Sequence, residues 1–450
     1  MPFISNTDRE RKAMLEACGV SNFKELIANI PAEFLENLNF DLSEPMSELE
    51  VTRYLNELAD LNFTTNETIS FLGGGIYDHF VPAAVKHVIS RPEFMTAYTP
   101  YQAEVSQGTL QYIYEYQTMI CELTGMEVSN AGMYDGATAA AEAVLMAVRK
   151  TKKYRAVVAE TINPFYLDVI KTYTKGVGIE IVTIPEKDGR IDLEVLKNEL
   201  NDDTSCFVMQ TPNFLGFLED AFAIDEIVHS AKKTLFIAVV DPVSLALINS
   251  PAEYNADIVI GEGQSLGNPQ SYGGPLFGFL ATSKKLIRTM PGRLVGGTLD
   301  ADGKKAYVLT MQAREQHIRR EKATSNICSN DSLCTLAATV YLCLMGKEGL
   351  QEVAEQSLTK AHYLAKEITA IDGFELYSKS PFFKEFTVKT PKPASKICQI
   401  FNKWDIYPGI SLEQFGFSDL LLIAVTEKNS KEDIDEFIDM LKNMDKMEEE

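Results

Sequence analysis

Six short apolar segments recur between Tyr154 and Ala281, and stretches with helical periodicity separate most of them. They cover residues 154–159, 180–184, 205–210, 234–240, 256–261 and 276–281. Strands that alternate with helices favour a mostly parallel sheet with helices on both faces. Ligands of such sheets bind beyond the carboxyl ends of the strands. The sequence therefore predicts an α/β chain with its site at those ends.

The pattern changes on both sides of this region. The first 60 residues carry capping-box patterns at Thr7/Glu10 and Ser47/Glu50, which predict an N-terminal helical extension. Its apolar positions need either the body of the protein or a neighbouring chain to pack against; they include Leu35, Leu38, Phe40 and Leu42. Beyond residue 291, long helices are expected over 303–320, 330–345 and 349–370, followed by shorter strands and helices. The expected division is 1–60, a large domain over 61–325 and a small C-terminal α/β domain over 326–450.

Composition excludes several functional classes. The 450 residues carry a formal net charge of -22, which disfavours nucleic acid or an anionic membrane as a partner because phosphate binding needs clustered Lys and Arg. A polar amino terminus and the lack of about 18 consecutive apolar residues predict a cytoplasmic protein. Seven cysteines without Cys-x-x-Cys spacing favour reduced thiols over disulfides or zinc, so we expect no metal site.

One residue type is missing where the chemistry is expected. One predicted strand ends in Asp241-Pro242, and the next leads into Gly263-Gln264-Ser265-Leu266-Gly267, yet no lysine occurs between Lys233 and Lys284. The frame resembles that of pyridoxal-phosphate enzymes with the aspartate-aminotransferase fold. In those enzymes an aspartate holds the pyridine nitrogen protonated and a lysine forms an imine with the aldehyde. Only an amine forms that imine, so glutamine or serine removes the covalent anchor.

A turn that leads into a helix of small residues is suited to a phosphate. Asp135, Gly136, Ala137 and Thr138 stand at its start. Backbone N–H groups at a helix N-terminus bind anions, and Thr138 could add a hydroxyl. The alternative is an ordinary helix cap with an alanine-rich face against the sheet. Asn213, which follows another predicted strand, is either a residue of the same pocket or a turn former.

Two loops combine aromatic and amide side chains, residues 73–79 and 98–108. Loops of this kind line sites more often than they fill cores, because their polar atoms need partners; a buried, satisfied loop is the alternative. His79 has no neighbouring metal-ligand spacing. The basic cluster Arg314, Arg319, Arg320 and Lys322 is expected on a solvated or subunit-facing surface.

Two other enzyme classes fit the chain poorly. Gly261-Glu262-Gly263-Gln264-Ser265-Leu266-Gly267 follows a strand, but its spacing is one residue too long for a dinucleotide-binding motif, and the prolines after it deny it a helix. A nicotinamide-dependent enzyme is therefore disfavoured. A self-sufficient decarboxylase or lyase would need another lysine such as Lys284, which lies some twenty residues beyond the expected point.

Several motifs occur together in one order along nearly the whole chain. They are Phe71-Leu72-Gly73-Gly74-Gly75, Ala97-Tyr98-Thr99-Pro100-Tyr101-Gln102, Met133-Tyr134-Asp135-Gly136-Ala137-Thr138-Ala139, Asp241-Pro242, Gly263-Gln264-Ser265-Leu266-Gly267, Gly292-Arg293-Leu294-Val295 and Gln312-Ala313-Arg314-Glu315-Gln316. This set resembles the P protein of the glycine cleavage system, in the form split into two chains, and specifically its subunit 1.

The resemblance implies a pyridoxal-phosphate-dependent glycine dehydrogenase with the aspartate-aminotransferase fold (fold type I). Such an enzyme decarboxylates glycine and transfers the aminomethyl group to the lipoyl arm of the H protein. The resemblance also implies an α2β2 assembly in which the lysine-bearing subunit 2 binds the pyridoxal phosphate covalently. This chain is then expected to be inactive alone. The alternative is a purely structural or regulatory pseudoenzyme that stabilises its partner.

The resemblance also assigns residues. A degenerate cofactor pocket is expected from Asp135, Gly136, Ala137, Thr138, Asn213, Asp241 and Gln264. A wall contributed to the partner's site is expected from Tyr98, Thr99, Tyr101, Gln102 and Glu104, together with His79. Tyrosine and amide groups could position the glycine carboxylate or the lipoyl sulfur.

Overall fold

The computed structural model describes residues 5–36, 42–327 and 331–449. These residues form two compact units, Met1–Phe63 and Thr64–Glu450. The first unit contains α1 (Asp8–Ala17), α2 (Phe23–Leu26), α3 (Ala32–Glu36) and α4 (Glu48–Ala59). Both predicted capping boxes are present, at the starts of α1 and α4. Leu38, Phe40, Cys328 and the predicted helix start at residue 330 lie outside the described residues.

The second unit begins with a central sheet and its covering helices. Its first elements are β1 (Ile69–Ser70), α5 (Ala83–Ile89), α6 (Pro92–Met95), α7 (Gln107–Thr124), β2 (Val128–Ser129), α8 (Gly136–Thr151), β3 (Arg155–Ala159), α9 (Pro164–Lys175) and β4 (Glu180–Ile184). They are followed by β5 (Glu186–Lys187), β6 (Arg190–Ile191), α10 (Leu193–Glu199), β7 (Thr204–Thr211), α11 (Ala221–Ser230), β8 (Leu235–Val240), β9 (Ile258–Glu262) and β10 (Gly278–Thr282). All six predicted strands are present.

The central sheet has seven strands in the order β2-β10-β9-β8-β7-β3-β4. The five strands from β9 to β4 are parallel, whereas β10 and β2 are antiparallel additions at one side. Phe207 and Met209 on β7 face one hydrophobic core, and Cys206 and Val208 face the other. Because neighbouring side chains of a strand point to opposite faces, the apolar run of β7 feeds two cores at once. The predicted α/β class is confirmed.

The rest of the second unit builds a smaller sheet. Its elements are β11 (Leu294–Leu299), β12 (Lys305–Thr310), α12 (Gln316–Arg319), α13 (Ser332–Ile368), β13 (Glu375–Leu376), β14 (Glu385–Lys389), α14 (Ala394–Asn402), β15 (Ile406–Tyr407), β16 (Ile410–Ser411), β17 (Leu420–Ala424), α15 (Lys431–Lys442) and α16 (Met444–Glu449). An antiparallel sheet in the order β13-β14-β17-β16, called here the C-terminal sheet, has its own core.

The predicted helix over 303–320 is wrong. Its first half is β12, which pairs antiparallel with β11 from Leu294↔Thr310 to Leu299↔Lys305. The turn between the two strands is closed by Asp300, whose Oδ1 accepts from the backbone N–H groups of Asp302 and Lys304. Antiparallel pairing with β11, which directly precedes it in the sequence, decides the conformation of β12, as is common for short segments of mixed propensity.

Helix α13 joins the two cores. The helices predicted over 330–345 and 349–370 are present within the described residues: α13 consists of two helical stretches that meet at Gly346, where φ is 59°. Ala337 and Tyr341 are buried in a core of the central sheet, and Ala361 and Leu364 are buried in the core of the C-terminal sheet. Among the described residues, this is the one helix long and apolar enough to cross a membrane. Its buried contacts are those of a core helix.

Candidate functional site

The carboxyl ends of β7, β8 and β9 meet beside the C-terminal sheet and enclose a narrow cavity. Its volume is about 30 Å³, which is room for a water molecule or two. The lining residues are Gly75, Tyr77, Tyr166, Gln210, Pro212, Val239, Val240, Asp241, Pro242, Glu262, Ser265, Phe383, Lys384 and Glu385. The cavity therefore lies where the sequence predicts the site, but it is almost filled by side chains.

Asp241 follows β8, and its carboxylate already has a cationic partner. Its Oδ2 lies 2.8 Å from Nζ of Lys384, and its Oδ1 accepts a hydrogen bond from the backbone N–H of Val243. The side chains of Lys384 and Asp241 are only 1% and 11% exposed. A buried charge persists when it is paired. The carboxylate expected to face a pyridine nitrogen thus has an internal counter-ion.

The ammonium group of Lys384 has two further buried neighbours. His79 Nε2 lies 2.9 Å from Nζ, and the centroid of the Tyr77 ring lies 3.7 Å from it. Since an ammonium only donates, Nε2 accepts, and Nδ1 carries the proton that binds Glu427 at 2.6 Å. Burial, reinforced by Lys384, lowers the pKa of His79. His79 is therefore a neutral member of a buried network, away from any exposed surface.

Gln264 occupies the loop where a lysine would be needed. Its amide oxygen accepts from the backbone N–H of Tyr77 at 3.0 Å, and its amide nitrogen donates to the carbonyls of Tyr77 and Asn268 at 3.1 and 2.7 Å. The residue is 1% exposed. The hydrogen bonds of its side chain connect the glycine-rich loop 73–79 to the loop after β9.

The N-terminus of α8 is closed by protein groups. Asp135 and Thr138 form a reciprocal capping box, and the N–H of Gly136 donates to Oε2 of Glu262 at 2.9 Å. A Cβ at Gly136 would lie 2.1 Å from the hydroxyl oxygen of Tyr166. The cap alternative therefore describes this segment, and the position suited to an anion holds a carboxyl group.

Glu262 is itself an unusual carboxyl group. Its Oε1 accepts from the backbone N–H groups of Gln264 and Phe277, at 3.1 and 3.3 Å. Burial raises the pKa of Glu262 to about 8, although the backbone donors lower it. Glu385 on the other side of the cavity accepts from the N–H of Gly74 and the hydroxyl of Tyr77, and burial raises its pKa to about 7. Two carboxyl groups that hold protons readily therefore flank the cavity.

Of the seven predicted pocket residues, Asp241 alone lines this narrow cavity. Asp135 and Ala137 line a neighbouring cavity of about 370 Å³. Asn213 is 1% exposed; its Oδ1 accepts from the N–H groups of Leu215 and Phe217, and its Nδ2 donates to Gly189 and Glu219. Its amide is thus occupied in a turn, which is the alternative that the sequence left open.

The loop of residues 98–104 lies at the surface and is anchored from below by Arg293. The Arg293 guanidinium donates to the Thr99 hydroxyl at 3.2 Å and to the Tyr101 hydroxyl at 2.8 Å. It lies 5.2 Å from the centroid of the Tyr101 ring. Arg293 is 4% exposed and Tyr98 is 74% exposed. Gln102 and Glu104 are also exposed. The structure gathers these five candidates in one loop and puts His79 elsewhere.

Arg314 corrects the expectation of a solvated basic cluster. It is 9% exposed, and its guanidinium donates to the carbonyls of Met290 and Gly292. Arg319, Arg320 and Lys322 are exposed as expected. A guanidinium has five donors, so one side chain satisfies the carbonyls of the turn that precedes Arg293.

Sequence reasoning missed the roles of Lys384, Glu262 and Arg293. A signal existed for the first, since Lys384-Glu385 interrupts the apolar run Phe382-Phe383 and Phe386, and charges within an apolar run need partners. Their partners cannot be read from the chain, because Lys384 and His79 are 305 positions apart.

Comparison with known proteins shows the family of the chain. Residues 1–441 match the family model of the glycine cleavage system P-protein. The chain belongs to this family. It is 51% identical over 442 residues to the probable glycine dehydrogenase (decarboxylating) subunit 1 of Chlorobium luteolum, covering 98% of this chain and 99% of the relative. The relative of the same name from Moorella thermoacetica is 48% identical, with 97% and 98% covered.

Solved structures extend the comparison. A crystal structure titled glycine decarboxylase (P-protein) of the glycine cleavage system, in inhibitor-bound form, has a TM-score of 0.91 at 42% identity and covers 98% of this chain and 100% of its own. A sphingosine-1-phosphate lyase from Burkholderia pseudomallei has a TM-score of 0.67 at 12% identity over 91% of this chain and 93% of its own, which bears on the fold alone. The predicted fold type I class is confirmed.

The family and fold imply pyridoxal phosphate, but the pocket of this P-protein chain does not fit it. The coenzyme needs an amine for its aldehyde, a free carboxylate for its ring nitrogen and open N–H groups for its phosphate. Here the three positions hold the Gln264 amide, the Lys384–Asp241 pair and the Glu262–Gly136 hydrogen bond. The narrow cavity shares Gly75, Tyr166 and Glu262 with the neighbouring cavity of about 370 Å³, so the misfit lies in the three occupied coenzyme positions and not in the volume.

Proposed function

We propose that this chain is the subunit of glycine dehydrogenase that does not carry the coenzyme. In this proposal the enzyme acts in the cytoplasm, decarboxylates glycine and transfers the aminomethyl group to the lipoyl arm of the H protein. The lysine-bearing subunit 2 binds pyridoxal phosphate covalently, and two copies of each subunit form the enzyme. The names of the relatives, glycine dehydrogenase (decarboxylating) subunit 1, support the activity and the existence of a second subunit.

One observation carries the division of labour. The loop in which the reactive lysine is expected holds Ser265, which lines the cavity, and Gln264, whose amide is hydrogen-bonded to Tyr77 and Asn268. A carboxamide cannot form an imine, so this chain has no group there to anchor an aldehyde. An enzyme that contains this chain then requires a lysine from another chain for catalysis.

The contribution of this chain is the exposed loop 98–104. Arg293 fixes Thr99 and Tyr101 from the protein side, while Tyr98 points a large aromatic surface outward with 74% of it exposed. Anchored tyrosine and amide groups are suited to orienting a small carboxylate or a lipoyl arm, because orientation lowers the entropic part of an activation barrier. We propose that Tyr98, Thr99, Tyr101, Gln102 and Glu104 form one wall of the partner's site.

The test is reconstitution from separately purified chains. Glycine decarboxylation is measured as exchange of labelled carbon dioxide with each chain alone, with both chains, and with both chains plus lipoylated H protein. We expect activity only when both chains are present, and the pyridoxyl label after borohydride reduction only on subunit 2. Decarboxylation by this chain alone, or a label on one of its peptides, contradicts the proposal.

A further inference from the structure

Two internal side chains lie where a pyridoxal-phosphate enzyme places the ring nitrogen and the phosphate of its coenzyme. Lys384 pairs with the carboxylate that would face the pyridinium nitrogen, and Glu262 pairs with the helix N-terminus that would face the phosphate. We propose that Lys384 and Glu262 occupy the positions of these two coenzyme groups. The pocket of this chain would then reject pyridoxal phosphate even if the missing lysine were present.

The cationic half of the substitution is fully built. Lys384 is 1% exposed, and its ammonium donates to Asp241 and His79 and lies over the ring of Tyr77. His79 is held in turn by Glu427, which also accepts from the backbone N–H of Phe80. A ring nitrogen could reach Asp241 only by displacing an ammonium whose donors are already satisfied inside the protein.

The contact of Glu262 with Gly136 blocks the phosphate in two ways. Oε2 of Glu262 occupies the N–H of Gly136, so the donor that a phosphate would use is taken. The hydroxyl of Tyr166 lies so close to Gly136 that a Cβ there would contact it at 2.1 Å. A phosphate would also bring its negative charge beside the capping side chain of Asp135, which disfavours it in a partly buried place.

The substitution has a consequence for how the chain is held together. Lys384 and Glu385 come from the segment before and at the start of β14, whereas Asp241 follows β8 and Gly74 lies in the glycine-rich loop. Hydrogen bonds and the ion pair between these groups join the C-terminal sheet to the central sheet. In an enzyme that binds its coenzyme between two sheets, the ligand supplies such links; here the chain supplies them itself.

Binding to the isolated full-length chain tests the inference separately from reconstitution. The probe is pyridoxamine 5′-phosphate, which has the ring nitrogen and the phosphate of the coenzyme but no aldehyde, so it cannot label surface lysines. Equilibrium dialysis compares the wild type with Lys384→Ala, Glu262→Ala and the double variant. Lys389→Ala is the matched control, because Lys389 is an exposed lysine at the end of β14, the strand that Lys384 directly precedes.

We expect no saturable binding by the wild type or Lys389→Ala up to about 1 mM probe. The folded double variant should bind one probe per chain with a Kd at least about tenfold below that limit. Each single variant should bind the probe more weakly than the double variant. Saturable one-to-one binding by the wild type overturns the inference, and this arm does not depend on any variant folding. A double variant with a cooperative thermal transition and no binding also overturns it. Failure of the reconstitution experiment would leave these outcomes unchanged, so the two proposals are tested independently.

Discussion

The side-chain amide of Gln264 hydrogen-bonds both the backbone N–H and the backbone carbonyl of Tyr77. The two residues are 187 positions apart, and the contact fixes the glycine-rich loop against the end of β9. An amide is suited to this task because it donates and accepts at once, whereas an ammonium only donates. Gln264 therefore has a structural role of its own.

The first prediction concerns Gln264→Lys. The change restores an amine but removes the acceptor for the N–H of Tyr77, so the free energy of unfolding should fall by about 2–4 kcal/mol. Lys384 and Glu262 remain in place, so incubation with pyridoxal phosphate and borohydride should leave no pyridoxyl label at position 264. Urea unfolding and peptide mapping check both parts.

Gln264→Met is the control for this prediction, because it removes the same hydrogen bonds without adding a charge. It should lose stability but less than Gln264→Lys, whose ammonium would be buried. A stoichiometric label at position 264 would mean that the missing amine alone closes the pocket, against the role given to Lys384 and Glu262.

The anchor of the exposed loop gives a second prediction. In the reconstituted enzyme, Arg293→Met should lower kcat/KM for glycine by about tenfold to hundredfold, because Thr99 and Tyr101 lose the group that orients them. Tyr101→Phe should have a smaller effect. Combined, the two changes should cost less than the product of their separate effects, since both break one contact.

Arg288→Met is the matched control, because Arg288 is an exposed arginine of a neighbouring segment. It should leave turnover unchanged. Simple multiplication of the effects of Arg293→Met and Tyr101→Phe would contradict a role for Arg293 through Tyr101, and would leave it as a stabilising residue alone.

How much of this the sequence predicts depends on the range of the interaction. The strands of the central sheet are predicted to within a few residues, because alternation of apolar runs and helices is a local signal. The positions of Asp241 and Gln264 follow from those strands. What fills the pocket does not follow, because Lys384 reaches Asp241 from a different sheet and no local pattern encodes that contact. The hairpin of β11 and β12 was missed although its strands are neighbours in the sequence, because its pairing and not its periodicity decides its conformation.

Tyr98 distinguishes a shared site from a scaffold. Its side chain is 74% exposed in this chain, so Tyr98→Ala should cost the isolated subunit little stability. In the reconstituted enzyme we expect turnover to fall by at least about tenfold if the ring helps to orient substrate. Size-exclusion chromatography should give the same assembly as the wild type.

Tyr154→Ala serves as the control for Tyr98→Ala. Tyr154 is 55% exposed and precedes β3, so it lies at the amino ends of the parallel strands and not at the carboxyl ends, where the cavity is. It should change neither assembly nor turnover. If Tyr98→Ala and Tyr101→Phe both leave turnover and assembly intact, the alternative of a purely structural subunit is favoured.

The last prediction is the pH dependence of stability that Glu262 contributes. Its pKa is raised from 4.5 to about 8 in the folded chain by burial, so the folded state binds the proton more tightly than the unfolded state. The stability it contributes is complete below pH 4.5 and is lost as the pH rises through about 8, with a slope of at most about 1.4 kcal/mol per pH unit. Glu262→Gln mimics the protonated form, so it should flatten the pH dependence of the free energy of unfolding between pH 5 and 8, measured by urea unfolding at several pH values.

His229, whose pKa is raised to about 9, contributes a slope of the same sign in both the wild type and the variant, so the difference between the two chains isolates Glu262. Equal slopes for the two chains would mean that Glu262 is ionised in the folded protein, and the hydrogen bond from Gly136 would then outweigh its burial.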